Sequence, residues 1–373
     1  MRNYILFILS LLLFGCVTSE TETSSEQEIT TSSLEFACNF NIEHSDNYTK
    51  LSILSPWELN KVLNTYYLVK NDSVAVPTDG VKIKVPVERI AVNSCSHVAY
   101  IDALSQVGKI VASTDPEFVY NENFRNLLAE GLIENLGGAY DMNFEKILKV
   151  NPQVLMITGF KGVDNMSLRA QEAGVPVVYN YEWTEKTVLG RAEWIKFFGE
   201  LFDARDKADS IFGEIKTEYI KCSELANKAT DKPKVLSGTP YKGTWYVPGG
   251  QSFMAEFYRN AGLDYYYNDN KDNASLALSL ETIMGNFLNA DIWVGVDVKA
   301  IEQLKAMDER MMIFKPVKTN RVYHYLNRIT ATGGNDFWES AIVHPDIVLR
   351  DLVNITRGVD DELYYYHRLH DAE

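Results

Sequence analysis

Cysteine is scarce in this chain, and its few cysteines show no metal-type spacing. Four of the 373 residues are cysteine, and one of them, Cys16, ends an N-terminal apolar run. Cys38, Cys95 and Cys222 stand far apart without a C-x-x-C pair, so they predict neither a zinc site nor a disulfide framework. Their odd number leaves at least one thiol unpaired, and we interpret them as small buried hydrophobic residues.

Motifs that carry catalysis are missing as well. The sequence contains no G-x-S-x-G turn, no P-loop, no G-x-G-x-x-G and no H-E-x-x-H. The pair Gly249-Gly250 is too isolated to indicate a phosphate-binding loop, and no nucleophile–base pair stands out. The sequence therefore predicts that the protein is not an enzyme.

Positive charge is in short supply. Lysine and arginine number 36 against 51 acidic residues, which gives a net charge of -15. Such a surface repels nucleic acid and anionic membranes, so nucleic acid is not an expected partner. The 46% of hydrophobic residues is typical of globular proteins, and the length suffices for two domains. We expect a monomer.

The longest early apolar run, residues 5–14, is too short to span a bilayer and has the length of a signal-peptide core. It ends in Leu13-Phe14-Gly15-Cys16, which resembles a bacterial lipobox. We predict a signal peptide over residues 1–15, a lipid on Cys16 and a tether over 16–33. The product is an exported, membrane-anchored lipoprotein facing the periplasm or the cell surface. The alternative is an ordinary secretory signal with Cys16 lost or free.

Strand and helix patterns alternate through most of the chain, after an antiparallel edge between residues 34 and 85. This alternation predicts an α/β fold of two lobes, each with a central, mostly parallel sheet flanked by helices. Apolar residues recur at helical spacing between 204 and 229, which predicts one long interlobe helix of roughly 40 Å. The predicted domains are an N-terminal lobe (34–203), the interlobe helix (204–230) and a C-terminal lobe (231–373). A helix packed within one lobe is the alternative for the middle segment.

One short pattern occurs twice. Residues 143–148 and 279–284 each place a polar residue, an apolar residue and a glutamate at a helix start, and each helix leads into a buried strand. The repeat indicates two similar lobes, and Glu145 and Glu281 would then form a two-point docking surface. Acidic residues also favour the first turn of any helix because of its dipole, which is the simpler reading.

The order of these motifs resembles the ABC-transporter substrate-binding proteins for cobalamin, haem and ferric siderophores. The resemblance rests on Asn93-Ser94-Cys95-Ser96-His97, on Gly137-Gly138 with the segment 143–155, and on the long middle helix, and it runs from about residue 85 to 357. In that family one glutamate on each lobe meets arginines of the importer's membrane subunits. The resemblance therefore implies an ABC permease and its ATPase as partners, docked at Glu145 and Glu281.

Ligands of open α/β lobes bind beyond the carboxyl ends of the strands, which here places the site in the cleft between the lobes. The strand ends facing this cleft carry aromatic and mixed polar residues. These suit a large, flat or ring-like organic ligand, with Arg328 available for a carboxylate or phosphate. We expect a metal chelate, either a ferric siderophore or a cobalamin-type corrinoid. The candidate ligand-binding residues are Ser96, His97, Phe160, Tyr181, Trp183, Tyr241, Trp245 and Arg328.

Three alternatives stay open at this point. A bare-metal receptor needs several converging histidines and carboxylates, and the chain has only six histidines, so we predict no metal site and no resident cofactor. A haem receptor would use His97 or a cleft tyrosine as the iron ligand. A surface scavenging lipoprotein without a permease is the third alternative, and a neighbouring permease and ATPase gene pair would decide against it.

Overall fold

An N-terminal sheet opens the fold. A computed structural model describes residues 30–162 and 165–371, so the predicted signal peptide, Cys16 and most of the tether lie outside the described residues. The strands lie in chain order and pair antiparallel, except that β4 and β5 run parallel. Phe40 pairs with Ile53, and both side chains are buried on the face that meets Trp194 and Phe197 of lobe one. The strands are β1 (Thr30–Thr31), β2 (Phe40–His44), β3 (Thr49–Leu54), β4 (Val62–Val69) and β5 (Val81–Lys84).

Lobe one is built on a parallel sheet in the order β10-β9-β6-β7-β8. Val154 to Ile157 of β9 are buried without interruption, as expected for a strand covered on both faces. The elements are β6 (Ile90–Val92), α1 (Cys95–Ala103), β7 (Ile110–Ser113), α2 (Glu122–Ala129), β8 (Glu134–Asn135), α3 (Phe144–Val150), β9 (Val154–Thr158), α4 (Asn165–Glu172) and β10 (Val177–Asn180).

Three helices lead out of lobe one: α5 (Val188–Glu193), α6 (Ile195–Leu201) and α7 (Arg205–Asn227). The 23 residues of α7 make it about 34 Å long. It packs against α6 on one side and against the last helix of lobe two on the other, so it bridges the lobes. Asn260 of lobe two donates a hydrogen bond of 2.8 Å to the Tyr219 hydroxyl of α7.

Lobe two repeats the architecture, with a central sheet in the order β14-β11-β16-β17-β18 that is parallel apart from β18. A separate antiparallel ribbon, β12-β13-β15, packs beside it. Its strands are β11 (Lys234–Ser237), β12 (Pro240–Tyr241), β13 (Thr244–Pro248), β14 (Asp264–Tyr265), β15 (Ser275–Leu278), β16 (Ile292–Val296), β17 (Val322–His324) and β18 (His367–Arg368). Its helices are α8 (Phe253–Asn260), α9 (Leu280–Phe287), α10 (Ile301–Met307), α11 (Lys315–Lys318), α12 (Asp336–Glu339) and α13 (Pro345–Arg357).

The predicted fold class, two α/β lobes with mostly parallel sheets and one long connecting helix, is confirmed. Cys38, Cys95 and Cys222 are unpaired, and Cys38 is exposed, contrary to the expectation of a buried thiol. Over the ranges that the structure describes, no helix combines the length and apolar character needed to cross a membrane.

Candidate functional site

A cleft of about 490 Å³ opens between the two lobes. An adjoining hollow of about 320 Å³ shares Ser252, Phe253 and Trp338 with it and extends under the antiparallel ribbon of lobe two. Most of the cleft wall is aromatic or aliphatic, as in sites for organic ligands. Its principal lining residues are Pro56 and Trp57 from the N-terminal sheet, Trp183, Thr184, Val188 and Arg191 from lobe one, and Gln251, Phe253, Asn273, Phe337, Trp338, Ile342 and Pro345 from lobe two.

The sequence placed three lobe-one aromatic residues in the cleft, Phe160, Tyr181 and Trp183, and of these Trp183 lines the cleft in the structure. It follows β10, and its indole Nε1 donates a hydrogen bond of 2.9 Å to the carbonyl oxygen of Gly159, which follows β9. These two parallel strands are neighbours, so their carboxyl ends bring both segments together. The half-exposed Phe160 packs beside the indole, with 5.5 Å between ring centroids.

Tyr181 packs against Gly159, the hydrogen-bond partner of Trp183. Its ring is buried and lies against Gly159, where a Cβ atom would come within 2.2 Å of the tyrosine ring. Glycine is therefore required at position 159 if the ring is to stay in place. The other side of Tyr181 meets Trp57 edge-on, with 5.8 Å between centroids.

Ser96 and His97 lie inside lobe one and do not line the cleft. The Ser96 hydroxyl lies 2.8 Å from that of Ser94, the N-cap of α1. His97 is 1% exposed, and burial lowers its pKa to about 3, so the imidazole is neutral. Its Nε2 lies 3.5 Å from the Thr158 hydroxyl. We therefore leave both residues out of the ligand-binding surface proposed below.

Trp245 and Tyr241 also lie away from the cleft lining. Trp245 is fully buried, donates from Nε1 to the Ser237 carbonyl oxygen (2.9 Å) and packs on Trp293 in the core of lobe two. Tyr241 is 64% exposed on the ribbon. Strand alternation in β13 turns Trp245 inward and its neighbour Tyr246 outward, and Tyr246 lines the adjoining hollow. The sequence pointed to Trp245, whereas its neighbour Tyr246 is the one that lines a cavity.

Arg328 joins the two lobes. Its Nε donates a hydrogen bond of 2.5 Å to Asp336 Oδ2, and its guanidinium carbon lies 4.1 Å from the Tyr364 ring centroid. On the other side it lies 5.2 Å from the ring centroid of Tyr120, which belongs to lobe one. A ligand carboxylate or phosphate would have to compete with Asp336 for this guanidinium.

Two glutamates of lobe two accept hydrogen bonds from the backbone of lobe one. Glu339 accepts from the amides of Tyr120 and Asn121 at 2.6 and 2.9 Å, and Glu256 accepts from the amide of Val188 at 3.0 Å. Burial raises the pKa of each carboxyl to about 7. We call this pair the interlobe glutamates.

Both charged residues in the described cleft lining already have partners. Arg191 Nε donates to Glu182 (2.9 Å), and its guanidinium stacks 4.7 Å from the centroid of Phe253. Glu185 accepts from the amides of Cys38 and Asn39, both at 3.0 Å. Aromatic faces and the amides of the lining are thus the groups that remain for a ligand. Within the described residues, no group of three or more His, Cys, Asp or Glu is placed to hold a metal ion.

The repeated glutamates occupy equivalent positions on their helices. Asn143 caps α3 and Ser279 caps α9, and Glu145 and Glu281 each stand two residues later, exposed to solvent. Glu281 also pairs with Arg310 at 3.0 Å, and its own backbone amide and this guanidinium lower its pKa. The structure does not test their role in docking, so that role stays a prediction.

Comparison with known proteins agrees with this architecture. An uncharacterized lipoprotein of Methanocaldococcus jannaschii is 27% identical over 92% of this chain and 89% of its own length. The vitamin B12 binding protein BtuF of Vibrio cholerae has a similar fold, with a TM-score of 0.55 and 12% identity over 74% of this chain and 99% of its own. A protein of the ABC-type Fe3+-hydroxamate transport system of Saccharomonospora viridis gives a TM-score of 0.54 and 20% identity over 78% of this chain and 98% of its own.

The model of one protein family, described as periplasmic binding protein, matches residues 94–328. This range takes in most strands of both central sheets, α7 and most of the cleft lining, and it covers more than half of the chain. The chain therefore belongs to the periplasmic binding protein family.

Proposed function

We propose that this protein is the lipid-anchored substrate-binding component of an ABC importer and that it captures a metal chelate in the interlobe cleft. One observation carries the proposal: an aromatic cleft lies between two α/β lobes of a periplasmic binding protein, beyond the carboxyl ends of β9 and β10. The similar folds of the B12-binding and Fe3+-hydroxamate proteins support a chelate as cargo.

The charges of the cleft favour a chelate without free acidic groups. A buried carboxylate requires an unpaired cation or several hydrogen-bond donors, because its desolvation is otherwise costly. Arg191, in the cleft lining, is held by Glu182, and Arg328, outside that lining, is held by Asp336. A ferric hydroxamate or a corrinoid therefore fits this lining better than haem, which carries two propionates. Haem remains the alternative cargo.

Docking to the importer is proposed for the exposed pair Glu145 and Glu281. Their equivalent places on α3 and α9 give one carboxylate to each lobe, which suits a permease with two equivalent halves. Glu281 would exchange Arg310 for an arginine of the permease, whereas Glu145 has no ion-pair partner among the described residues. A scavenging lipoprotein that lacks a permease is the alternative.

The membrane anchor is proposed at Cys16. The lipobox-like Leu13-Phe14-Gly15-Cys16 and the lipoprotein name of the relative from M. jannaschii support it. Mass spectrometry of the mature protein should find a diacylglyceryl adduct on Cys16, and Cys16→Ser should release the protein from the membrane fraction.

Calorimetric titration tests the cargo. The chain from residue 17 onwards is titrated with ferric desferrioxamine B, cyanocobalamin and haemin. One-to-one binding of the first or second probe is expected, weakened roughly tenfold in Trp183→Ala because an aromatic contact in the cleft is lost. Tyr140→Ala is the matched control, since Tyr140 is 93% exposed and does not line the cleft. Failure of all three probes to bind folded protein would overturn the proposed cargo class.

A further inference from the structure

The loop between β3 and β4 (residues 55–61) reaches the ligand cleft from outside the two lobes. It belongs to the N-terminal sheet, which lies before the family match at residues 94–328. Even so, Pro56 and Trp57 at the start of this loop line the cleft together with Trp183 of lobe one and Trp338 of lobe two. Three structural units therefore contribute a tryptophan to one cavity.

The conformation of this loop is set by its own hydrogen bonds. The Ser55 hydroxyl accepts from the amides of Trp57 and Glu58 at 3.2 and 3.0 Å, and the Ser55 amide donates 2.8 Å to the carbonyl oxygen of Lys61. A Lys61–Glu58 ion pair at 2.7 Å spans the same turn. Trp57 is thus presented by a turn that is closed before any ligand arrives, which lowers the entropy cost of a ligand contact.

Buried glutamates fix the N-terminal sheet to lobe one. Glu193, fully buried, accepts from the amides of residues 35–37, and Glu185 accepts from those of Cys38 and Asn39. The Asn39 side-chain amide also donates 2.9 Å to the hydroxyl of Thr184, the residue next to Trp183. The segment that leads into the sheet is therefore bonded to the segment that carries the lobe-one aromatic wall.

Trp57 has the exposure expected of a contact residue. One edge-on contact with Tyr181 holds it, while 38% of its surface stays accessible at the cleft. Leu59, two residues further along the loop, is 93% exposed and does not line the cleft. The loop thus carries one apolar residue that lines the cleft, Trp57, and one that does not, Leu59. Substitutions at these two positions form a matched pair for comparison.

We propose that the N-terminal sheet forms a third wall of the ligand cleft and that Trp57 is a specificity-determining residue, whose ring packs on the apolar face of the bound chelate. This inference rests on the proposed function, and it adds a unit outside the family match to the binding site. Because Pro56 and Trp57 form part of the cleft wall, the loop limits the size of the ligand as well as contacting it.

The test compares Trp57→Ala, Trp57→Phe and Leu59→Ala, using ferric desferrioxamine B, cyanocobalamin and haemin as probes. For each probe that binds the wild-type protein, Trp57→Ala should weaken affinity about tenfold and change the ratio of affinities between probes, through loss of an aromatic contact. Trp57→Phe should restore most of the affinity, and Leu59→Ala should stay within about twofold of wild type. Melting temperatures of all variants are measured alongside.

Equal affinity in Trp57→Ala and wild type overturns the inference while leaving the proposed function in place. An equal loss in Leu59→Ala also overturns it, because the loop would then act through its fold rather than through the tryptophan. If none of the probes binds the wild-type protein, the proposed function fails and this inference fails with it. If Trp57→Ala does not fold, the quenching of tryptophan fluorescence by bound ligand is compared between wild type and Trp57→Phe. Equal quenching in the two proteins overturns the proposed contact.

Discussion

Closure of the two lobes should depend on pH through the interlobe glutamates. Glu339 is 2% exposed where the lobes meet, and burial is the main cause that raises its pKa from 4.5 to about 7. The nearby carboxylates of Asp336 and Asp102 act in the same direction, against the two backbone amides that bind Glu339. Separation of the lobes would return the carboxyl to water and to its ordinary pKa.

The direction of this pH dependence follows from proton linkage. The closed arrangement binds the proton more tightly, so its advantage is complete below about pH 4.5 and is lost as the pH rises through about 7. The difference between those values corresponds to roughly 3 kcal/mol, or more than a hundredfold in the closed-to-open equilibrium. Glu256 is shifted in the same direction by burial and is opposed by Arg259, so it adds to the effect.

Small-angle X-ray scattering between pH 5 and pH 8.5 measures this closure. The radius of gyration of the ligand-free protein should increase with pH, and E256Q/E339Q should remove most of that dependence while keeping an acceptor oxygen at both sites. Glu281→Gln, at an exposed ion pair on α9, is the control and should leave the profile unchanged. An unaltered profile in the double variant, or contraction with rising pH in wild type, would refute the reasoning.

Three further outcomes are expected. Glu193→Ala leaves three backbone amides without their acceptor and removes one of the two carboxylates that pair with Lys196, so it should lower the free energy of unfolding by at least about 3 kcal/mol in urea titration, and by clearly less as Glu193→Gln. Glu145→Lys with Glu281→Lys should abolish uptake into cells and leave chelate affinity unchanged; reduced affinity would contradict a docking role. Gly159→Ala should cost about 1–3 kcal/mol in thermal unfolding because its Cβ meets the ring beneath the cleft, and an unchanged melting temperature would exclude that clash.

The architecture could be predicted from the sequence because alternating apolar strands and amphipathic helices leave few ways to bury both faces of a parallel sheet. The same logic placed Trp183, three residues after the end of β10, at the carboxyl edge of the lobe-one sheet. It did not resolve which way Trp245 faces, because β13 belongs to a ribbon with one face on the core of lobe two, and strand alternation turns Trp245 to that face and Tyr246 to the outside. Periodicity alone did not distinguish that ribbon from a central strand.

Other parts of the site depend on contacts between distant segments. The partners of Arg328 include Tyr120, more than 200 residues away, and such pairing has no local signal. Trp57 reaches the cleft only because buried glutamates hold the N-terminal sheet on lobe one. Trp338 stands on α12, and its local sequence gives no direction for the indole.

The lengths of the outermost strands have a consequence for colloidal behaviour. Each of the four sheets ends on at least one side in a strand of two residues: β1 in the N-terminal sheet, β8 in lobe one, β14 and β18 in lobe two, and β12 in the ribbon. An edge strand of two residues exposes too few unpaired amides and carbonyls to recruit a strand from another molecule. Crowding should therefore not drive edge-to-edge aggregation through these short edges, whereas variants in which one of them is lengthened should self-associate.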